Sequence, residues 1–220
     1  MSSHHIVRDD QEPALIIANG EACSMELLGQ LLEWSPLVIV LDSAMERVAA
    51  LGIKVDVLLG DFDRDFNPDE FIRTQHPIEI VYAPDQEKTD LEKAFDYLIE
   101  RGIPAVNVIW ATGRRTDHTI SNLTNIVRYR GLLSIVILDD YSKVFLLPRN
   151  FRKWYPADSI LSLIPVGTVN GISSENLVYE LQNETLTMGF RSGNSNASRR
   201  EGLVSIIHQE GDLLLMECND

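Results

Sequence analysis

The sequence predicts an α/β protein in which an open, mostly parallel α/β sheet is followed by a small antiparallel β-sandwich domain. In the first two thirds of the chain, short apolar runs alternate with segments of helical periodicity. Such alternation is typical of strands buried on both faces of a parallel sheet. After about Asp140, short apolar runs follow one another with turn residues between them and no helical pattern, which favours an antiparallel β domain.

In the first region, six apolar runs predict strands, at residues 14–18, 37–41, 55–59, 78–81, 105–110 and 134–138. The clearest helix is predicted over residues 89–101, where apolar residues recur at i, i+3, i+4, i+7 and i+8 from Leu91. Thr89 and Glu92 have the spacing of a capping box, and Gly102 is a typical terminator. This order of elements predicts a Rossmann-like sheet with helices on both faces.

In the second region, five apolar runs predict short strands, at residues 160–165, 177–181, 186–190, 203–208 and 213–217. Turn signals separate them at residues 166–168, 170–171, 193–194 and 210–212. We therefore expect two domains, an α/β domain over residues 1–143 and a β-sandwich over residues 144–220.

Charge and composition exclude some partners. The net charge of −14 is poorly suited to non-specific nucleic-acid binding, which depends on phosphate neutralisation by Lys and Arg. No apolar run approaches the roughly 20 residues of a membrane span, and the N-terminus lacks the basic and apolar regions of a signal peptide. Cys23 and Cys218 lie near opposite ends of the chain and form no metal-binding spacing. We expect a cytoplasmic protein with no nucleic-acid or membrane partner.

Acidic residues follow the predicted strands of the first region. Asp42 follows the second strand, Asp61 and Asp63 the third, Asp90 opens the helix after the fourth, and Asp117 follows the fifth. In open α/β sheets this edge binds ligands. Two like charges about 4 Å apart cost about 1 kcal/mol in water and about 4 kcal/mol at an effective dielectric of about 20, a cost that a hard cation removes. In an extended segment Asp61 and Asp63 point to the same side. The alternative is that these aspartates only cap helices and fill turns.

Four basic side chains occur at the same places in the pattern. Lys93 lies one helical turn beyond Asp90, so both can face one ligand. Arg114 and Arg115 follow a glycine at a predicted helix start, which suits contact with phosphate oxygens. His118 could also donate to phosphate. The alternatives are a solvated lysine and a histidine that caps its helix.

Three of these segments resemble the successive signatures of thiamine pyrophosphokinases, in the same order. They are Gly60-Asp61-Phe62-Asp63, the segment from Asp85 through Thr89-Asp90 to Lys93, and Gly113-Arg114-Arg115-Thr116-Asp117-His118. Asn19-Gly20-Glu21 is similar to the first loop of that family. In the second region, Leu177-Val178-Tyr179 and Ser195-Asn196 are similar to its substrate-pocket segments. The resemblance covers nearly the whole chain.

The resemblance implies a Mg²⁺-dependent transfer of the diphosphate of ATP to the hydroxyl of thiamine, which gives thiamine diphosphate and AMP. It implies Asp61, Asp63 and Asp90 as metal ligands and, with Arg115 and Asp117, as the catalytic set. The implied nucleotide-binding residues are Asn19, Asp42, Lys93, Arg115, Asp117 and His118. Tyr179 would stack on thiamine, and Ser195 and Asn196 would hydrogen-bond it. It also implies a homodimer with the thiamine site near the subunit interface.

Three positions differ from the family pattern. Arg64 stands in place of serine, Arg114 in place of a second glycine, and Ser43-Ala44 in place of glycines. Three other functions remain open: a pyrophosphokinase acting on a pterin or another small alcohol, a phosphatase of the haloacid dehalogenase type, and a nucleotide- or thiamine-binding protein without activity. The sequence contains no Gly-x-x-x-x-Gly-Lys-Ser/Thr motif, which argues against a P-loop kinase.

Overall fold

The structure, a computed structural model, describes residues 13–62 and 66–219. The chain folds into two compact units. The first runs to residue 125 and includes residues 129–139, and the second comprises residues 126–128 and the chain from residue 140. The sequence places the border after residue 143. Within the described residues, no helix is long and apolar enough to span a bilayer.

In the part of the chain that the structure describes, the first unit contains six parallel strands: β1 (Ala14–Ile17), β2 (Leu37–Leu41), β3 (Val57–Gly60), β4 (Glu79–Tyr82), β5 (Ala105–Ile109) and β6 (Ser134–Leu138). They pair in the order β4-β3-β2-β1-β5-β6. The predicted Rossmann-like sheet is confirmed, with ends that differ by up to two residues. The strand order reverses at β1, between β2 and β5. In open α/β sheets such a reversal opens a crevice at the carboxyl ends of the strands.

Five α-helices connect these strands: α1 (Met25–Leu32), α2 (Met45–Ala50), α3 (Asp69–Ile72), α4 (Asp90–Glu100) and α5 (Thr116–Asn125). Short 3₁₀ turns occupy Asp42–Ala44 and Ile126–Tyr129. Helix α4 begins as predicted, because Thr89 Oγ1 accepts from Glu92 N at 3.3 Å while Thr89 N donates to Glu92 Oε2 at 3.0 Å. Gly102, at φ +70°, follows its C-terminus. The capping box fixes the residue at which α4 starts, and therefore the place of Asp90 in its first turn.

The second unit contains seven antiparallel strands: β7 (Ser142–Leu146), β8 (Asn150–Tyr155), β9 (Ile160–Glu175), β10 (Glu184–Thr187), β11 (Gly193–Ala197), β12 (Gly202–Ile207) and β13 (Glu210–Cys218). Strand β9 pairs with β13 and β11 in its first half and with β10 and β12 further on. Its inward side chains, such as Leu163 and Ile172, belong to one buried apolar cluster. This confirms the predicted antiparallel β domain.

Strand β9 is much longer than predicted, because two expected turns lie inside it. Gly167 and Gly171 have φ values of +81° and +67°, as turn glycines do, yet the strand continues through both. The pairing register of β13 and of β10 shifts beside this stretch. Such shifts mark β-bulges, which bend a strand without ending it. The predicted turns at residues 166–168 and 170–171 are therefore wrong.

The strand predicted at residues 177–181 is also wrong. Leu177 makes only an isolated bridge to Ser198, and the chain turns through Val178 and Tyr179. Both Leu177 and Leu181 are buried, so their apolar pattern reflects the anchoring of a turn rather than a strand. The strand predicted at residues 186–190 ends instead at Thr187. Strands β7, β8 and β11 were not predicted, because polar residues interrupt their apolar pattern.

Candidate active site

A cleft of about 410 Å³ opens in the first unit, at the carboxyl ends of its strands. It is lined by six of the residues singled out from the sequence: Asn19, Asp61, Asp90, Lys93, Arg115 and His118. They come from the segments that follow β1, β3, β4 and β5, and these segments meet where the strand order reverses. The sheet topology therefore brings together residues that lie up to 99 positions apart in the chain.

Asp42 follows β2 and is buried, with only 8% of its surface exposed. Its Oδ1 accepts from Ser43 N at 2.5 Å and its Oδ2 from Phe62 N at 3.1 Å. A side chain at Gly60 would collide with this carboxylate, since an added Cβ would lie 2.2 Å from Asp42 Oδ2. The pKa of Asp42 is raised, first by burial and then by the negative charges of Asp90 and Asp61. Three carboxylates therefore share one region.

The two other carboxylates of this region have different partners. Asp90 Oδ1 accepts from Lys93 Nζ at 2.9 Å, and the Lys93 side chain is only 6% exposed. Asp61 Oδ2 accepts from the neutral amide of Gln86 at 2.8 Å. Sequence reasoning missed Gln86 as a site residue, although it lies within the quoted segment from Asp85 to Lys93. Within the described residues, Asp61 has no cation at ion-pair distance.

Only part of the predicted metal site can be located. Asp63 lies outside the described residues, and in the rest of the described chain no three carboxylate, histidine or cysteine side chains could hold a metal ion together. One expectation needs correction. Phe62 has φ +50°, so the segment from Asp61 is not extended at this residue, and the rule that alternate side chains point to the same side does not apply.

Arg115 and Asp117 form a two-point ion pair at the start of α5. Arg115 Nε donates to Asp117 Oδ1 at 3.1 Å and Arg115 Nη2 to Asp117 Oδ2 at 2.5 Å, with both side chains largely exposed. The hydrogen bonds from Arg115 lower the pKa of Asp117 to about 2. A carboxylate with so low a pKa is a weak proton acceptor. Asp117 is therefore better suited to orient Arg115 than to act as a general base.

The Asn19–Gly20 loop is held against the segment after β5. Gly20 N donates to Trp110 O at 2.5 Å, and an added Cβ at Gly20 would lie 2.3 Å from Thr112 O, so only glycine fits. Arg47 Nη1 donates to Asn19 Oδ1 at 3.0 Å. Arg47 was also missed from the sequence. The one feature of the sequence that could have pointed to Arg47 is its position in α2, the helix that follows Asp42.

In the second unit, the structure places Tyr179, Ser195 and Asn196 together. Tyr179 N donates to Asn196 Oδ1 at 3.0 Å, and Asn196 Nδ2 donates to Tyr179 O at 2.8 Å. Asn196 is only 3% exposed, while Tyr179 is 71% exposed. Ser195 has φ +54° and its N–H donates to Ser162 Oγ at 2.9 Å. The Asn196 amide thus fixes the turn that presents the Tyr179 ring to solvent.

Two family models match the sequence. The model described as thiamin pyrophosphokinase, catalytic domain, matches residues 28–137, and the model described as thiamin pyrophosphokinase, vitamin B1 binding domain, matches residues 151–211. Thiamine pyrophosphokinase 3 of Oryza sativa subsp. japonica is 27% identical over 73% of this chain and 65% of its own length. Thiamin pyrophosphokinase 1 of Caenorhabditis elegans is 26% identical over 64% and 61%. The chain therefore spans less than two thirds of these curated relatives.

Solved structures share the fold. Thiamine pyrophosphokinase from Bacillus subtilis has a TM-score of 0.79 at 22% identity, covering 95% of this chain and 100% of that chain. Thiamin pyrophosphokinase from Candida albicans has a TM-score of 0.81 at 14% identity, covering 94% and 89%.

Proposed function

The chain belongs to the thiamin pyrophosphokinase family, and on that premise we propose that it transfers the diphosphate of ATP to the hydroxyl of thiamine. The products are thiamine diphosphate and AMP. The bond that forms joins the thiamine oxygen to the β-phosphorus, and the bond that breaks joins this phosphorus to the oxygen bridging it to the α-phosphate.

The observation that carries this proposal is the uneven charge of the cleft in the first unit. Burial raises the pKa of Asp42, and the negative charges of Asp90 and Asp61 raise it further, so three carboxylates lie close together. Among the described residues, only Asp90 of these three has a lysine at ion-pair distance. Lys93 and Arg115 line the same cleft and carry the positive charges that phosphate oxygens need. Phosphoryl transfer depends mostly on positioning and charge neutralisation, and this set of groups supplies both.

The donor set fits Mg²⁺, the metal ion that we propose as cofactor. Mg²⁺ is usually bound by one or two carboxylates together with substrate phosphates and waters, so Asp61 and Asp90 are sufficient protein ligands. When bound, Mg²⁺ would neutralise charge on the diphosphate. Asp63 is proposed as a third ligand from the sequence motif alone.

The remaining cleft residues have proposed roles in nucleotide binding and proton transfer. Lys93, held by Asp90, and Arg115, held by Asp117, would contact phosphate oxygens, and Asn19 and His118 would line the nucleotide site. The low pKa of Asp117 makes it a poor acceptor for the thiamine hydroxyl proton.

Thiamine carries a cationic aromatic ring, and Tyr179 offers an exposed π face for it. Replacing Tyr179 by Ala should raise the KM for thiamine by about 2- to 30-fold, the factor that corresponds to about 0.5–2 kcal/mol of cation–π attraction. Tyr179→Phe, which keeps the ring, should retain most of the affinity. Equal KM values for wild type and Tyr179→Ala would remove Tyr179 from the thiamine site.

We also propose a homodimer, and the exposed apolar side chains of the second unit support it. Trp154 of β8 and Leu203 of β12 are paired neighbours in register, and both are about half exposed. An interface over this face would bury them. Light scattering on the purified chain should give twice the monomer mass, whereas a monomer at micromolar concentration would contradict this part of the proposal.

The proposed reaction is tested by incubating the full chain with ATP, Mg²⁺ and thiamine and separating the products. We expect equal amounts of AMP and thiamine diphosphate. ADP with thiamine monophosphate would contradict diphosphate transfer. AMP formation with a pterin alcohol but not with thiamine would favour the alternative pyrophosphokinase, and ligand binding without AMP would favour a binding protein.

A further inference from the structure

Two arginines converge on one amide at the Asn19 end of the cleft. Arg47 Nη1 donates to Asn19 Oδ1 at 3.0 Å and to Gly20 O at 2.9 Å. Arg114 Nη1 donates to Asn19 Oδ1 and to Asn19 O, each at 3.2 Å. All of these acceptors are neutral. Two guanidinium groups therefore share one side-chain oxygen, and neither positive charge is cancelled by it.

The three other Lys and Arg side chains that line the cleft with Arg114 differ in this respect, because each has a carboxylate partner. Lys93 pairs with Asp90 at 2.9 Å, Arg115 with Asp117 at 2.5 Å, and Lys88 with Asp96 at 2.7 Å. Among the residues that the structure describes, neither Arg47 nor Arg114 has a carboxylate at ion-pair distance. Like charges held this close repel each other, and a bound anion would remove the repulsion.

Contacts within the chain orient Arg47, and the backbone conformation of Arg114 is unusual for a residue other than glycine. The Arg47 guanidinium lies 4.4 Å from the centre of the buried Trp110 ring, in a cation–π contact. Arg114 adopts φ +48°, a conformation that favours glycine, at the position where the family motif has its second glycine. The chain thus has an arginine, at a cost in backbone strain, where a glycine would fit without it.

We propose that Arg47 and Arg114 form a two-arginine phosphate site, which binds one phosphate group of the nucleotide. Guanidinium groups bind phosphate oxygens with paired hydrogen bonds, and two of them on one phosphate match its charge. Arg114 is then a contact that this chain has gained in place of the motif glycine. The proposal rests on the nucleotide part of the proposed function and not on the identity of the alcohol.

The test measures binding without turnover. The wild-type chain, Arg114→Gln, Arg114→Gly and the matched control Arg73→Gln are titrated by calorimetry in Mg²⁺ with α,β-methylene-ATP, which cannot be cleaved at the proposed bond, and with adenosine. Gln keeps the backbone strain and removes the charge, whereas Gly removes both. Arg73 is exposed in the same unit and lines no part of this cleft.

Both Arg114 variants should bind the ATP analogue about tenfold more weakly, because each loses a charge-assisted contact to phosphate. Their affinity for adenosine should not change, and Arg73→Gln should match wild type with both ligands. Equal losses of affinity for the analogue and for adenosine would overturn the proposal, because an arginine that only stabilises the Asn19–Gly20 loop would affect both ligands. Unchanged affinity of Arg114→Gln for the analogue would overturn it as well.

The same titrations separate this inference from the proposed reaction. A wild-type chain that binds the analogue but forms no AMP from ATP and thiamine in the product assay would contradict diphosphate transfer, while the loss of analogue affinity in Arg114→Gln would still support the phosphate site. A wild-type chain that does not bind the analogue would overturn both.

Discussion

Each unit of the molecule contains a carboxylate that is largely removed from solvent, and the two differ in what surrounds them. Around Asp42 in the first unit, burial raises the pKa of the carboxyl, and the negative charges of Asp90 and Asp61 raise it further. Around Glu217 in the second unit, Lys153 Nζ and the Tyr155 hydroxyl donate to Oε1 at 2.7 and 2.5 Å. The carboxylates around Asp42 outnumber their lysine partner, Lys93, among the described residues. The carboxylate of Glu217, in contrast, is satisfied by the lysine and the hydroxyl that donate to it.

This difference separates a binding site from a structural contact. A satisfied pair such as Lys153–Glu217 needs no ligand, and removing one partner would leave the other charge uncompensated. A surplus of like charge lowers stability until a ligand of the opposite sign neutralises it, so a protein retains it where that ligand acts. Substitutions in the first unit should therefore change activity more than stability, and those around Glu217 should do the reverse.

The largest expected effect is on activity in the first unit. Asp61→Asn should lower the rate of AMP formation by at least about a thousandfold, because it removes a carboxylate from the proposed Mg²⁺ site. The matched control Asp69→Asn, an exposed helix-start residue, should keep the wild-type rate. Circular dichroism should show both variants folded. A well-folded Asp61→Asn variant with more than a tenth of the wild-type rate would contradict the difference that we expect between the two units.

The next effect is on stability in the second unit. Glu217→Gln should lower the free energy of unfolding by about 2 kcal/mol, because it leaves Lys153 without its carboxylate. A fully buried pair would cost more, but the Lys153 and Glu217 side chains are 40% and 18% exposed. Urea unfolding measures the loss, with exposed Glu201→Gln as the control. No loss of stability, or a loss of activity in the folded variant, would contradict a purely structural role.

The smallest expected effect is the pH dependence that Asp42 confers. Its pKa is higher in the folded chain than the ordinary value of about 3.8, so the folded chain holds this proton more tightly. The free energy of unfolding contributed by Asp42 is therefore largest below that value and is lost as the pH rises through the raised pKa.

Asp42→Asn removes this contribution. Urea unfolding from about pH 4 to about pH 7 should show wild type losing stability relative to the variant as the pH rises. The hydrogen bonds that the variant loses add a constant offset and leave this slope unchanged. Parallel curves for the two proteins would show that the pKa of Asp42 is not raised in the folded chain.

The sequence predicted most of the first unit because local rules act there in agreement. Asp61 was placed by its position after a buried strand, Asp90 by its position at a helix start that Thr89 sets, and Lys93 by its spacing from Asp90 on that helix. What it missed depends on long-range packing. The contacts of Arg47 with Asn19 and of Gln86 with Asp61 join residues 28 and 25 positions apart, and no local pattern signals them.

In the second unit, local rules conflicted with the fold. Gly167 and Gly171 have the positive φ of turn residues, but the pairing of β9 with its neighbours carries the strand through both as bulges. The roles of Tyr179 and Asn196 came from resemblance alone. Only the structure shows that the Asn196 amide is bonded to the Tyr179 backbone.

The most direct test of the surplus charge is a titration of Mn²⁺, as a spectroscopic substitute for Mg²⁺, in the presence of α,β-methylene-ATP. The wild-type chain should reduce the electron paramagnetic resonance signal of free Mn²⁺ beyond what the analogue does alone, and a variant with both Asp61→Asn and Asp90→Asn should not. Equal reduction by the two proteins would show that these carboxylates do not hold the ion, and the account of the cleft would fail.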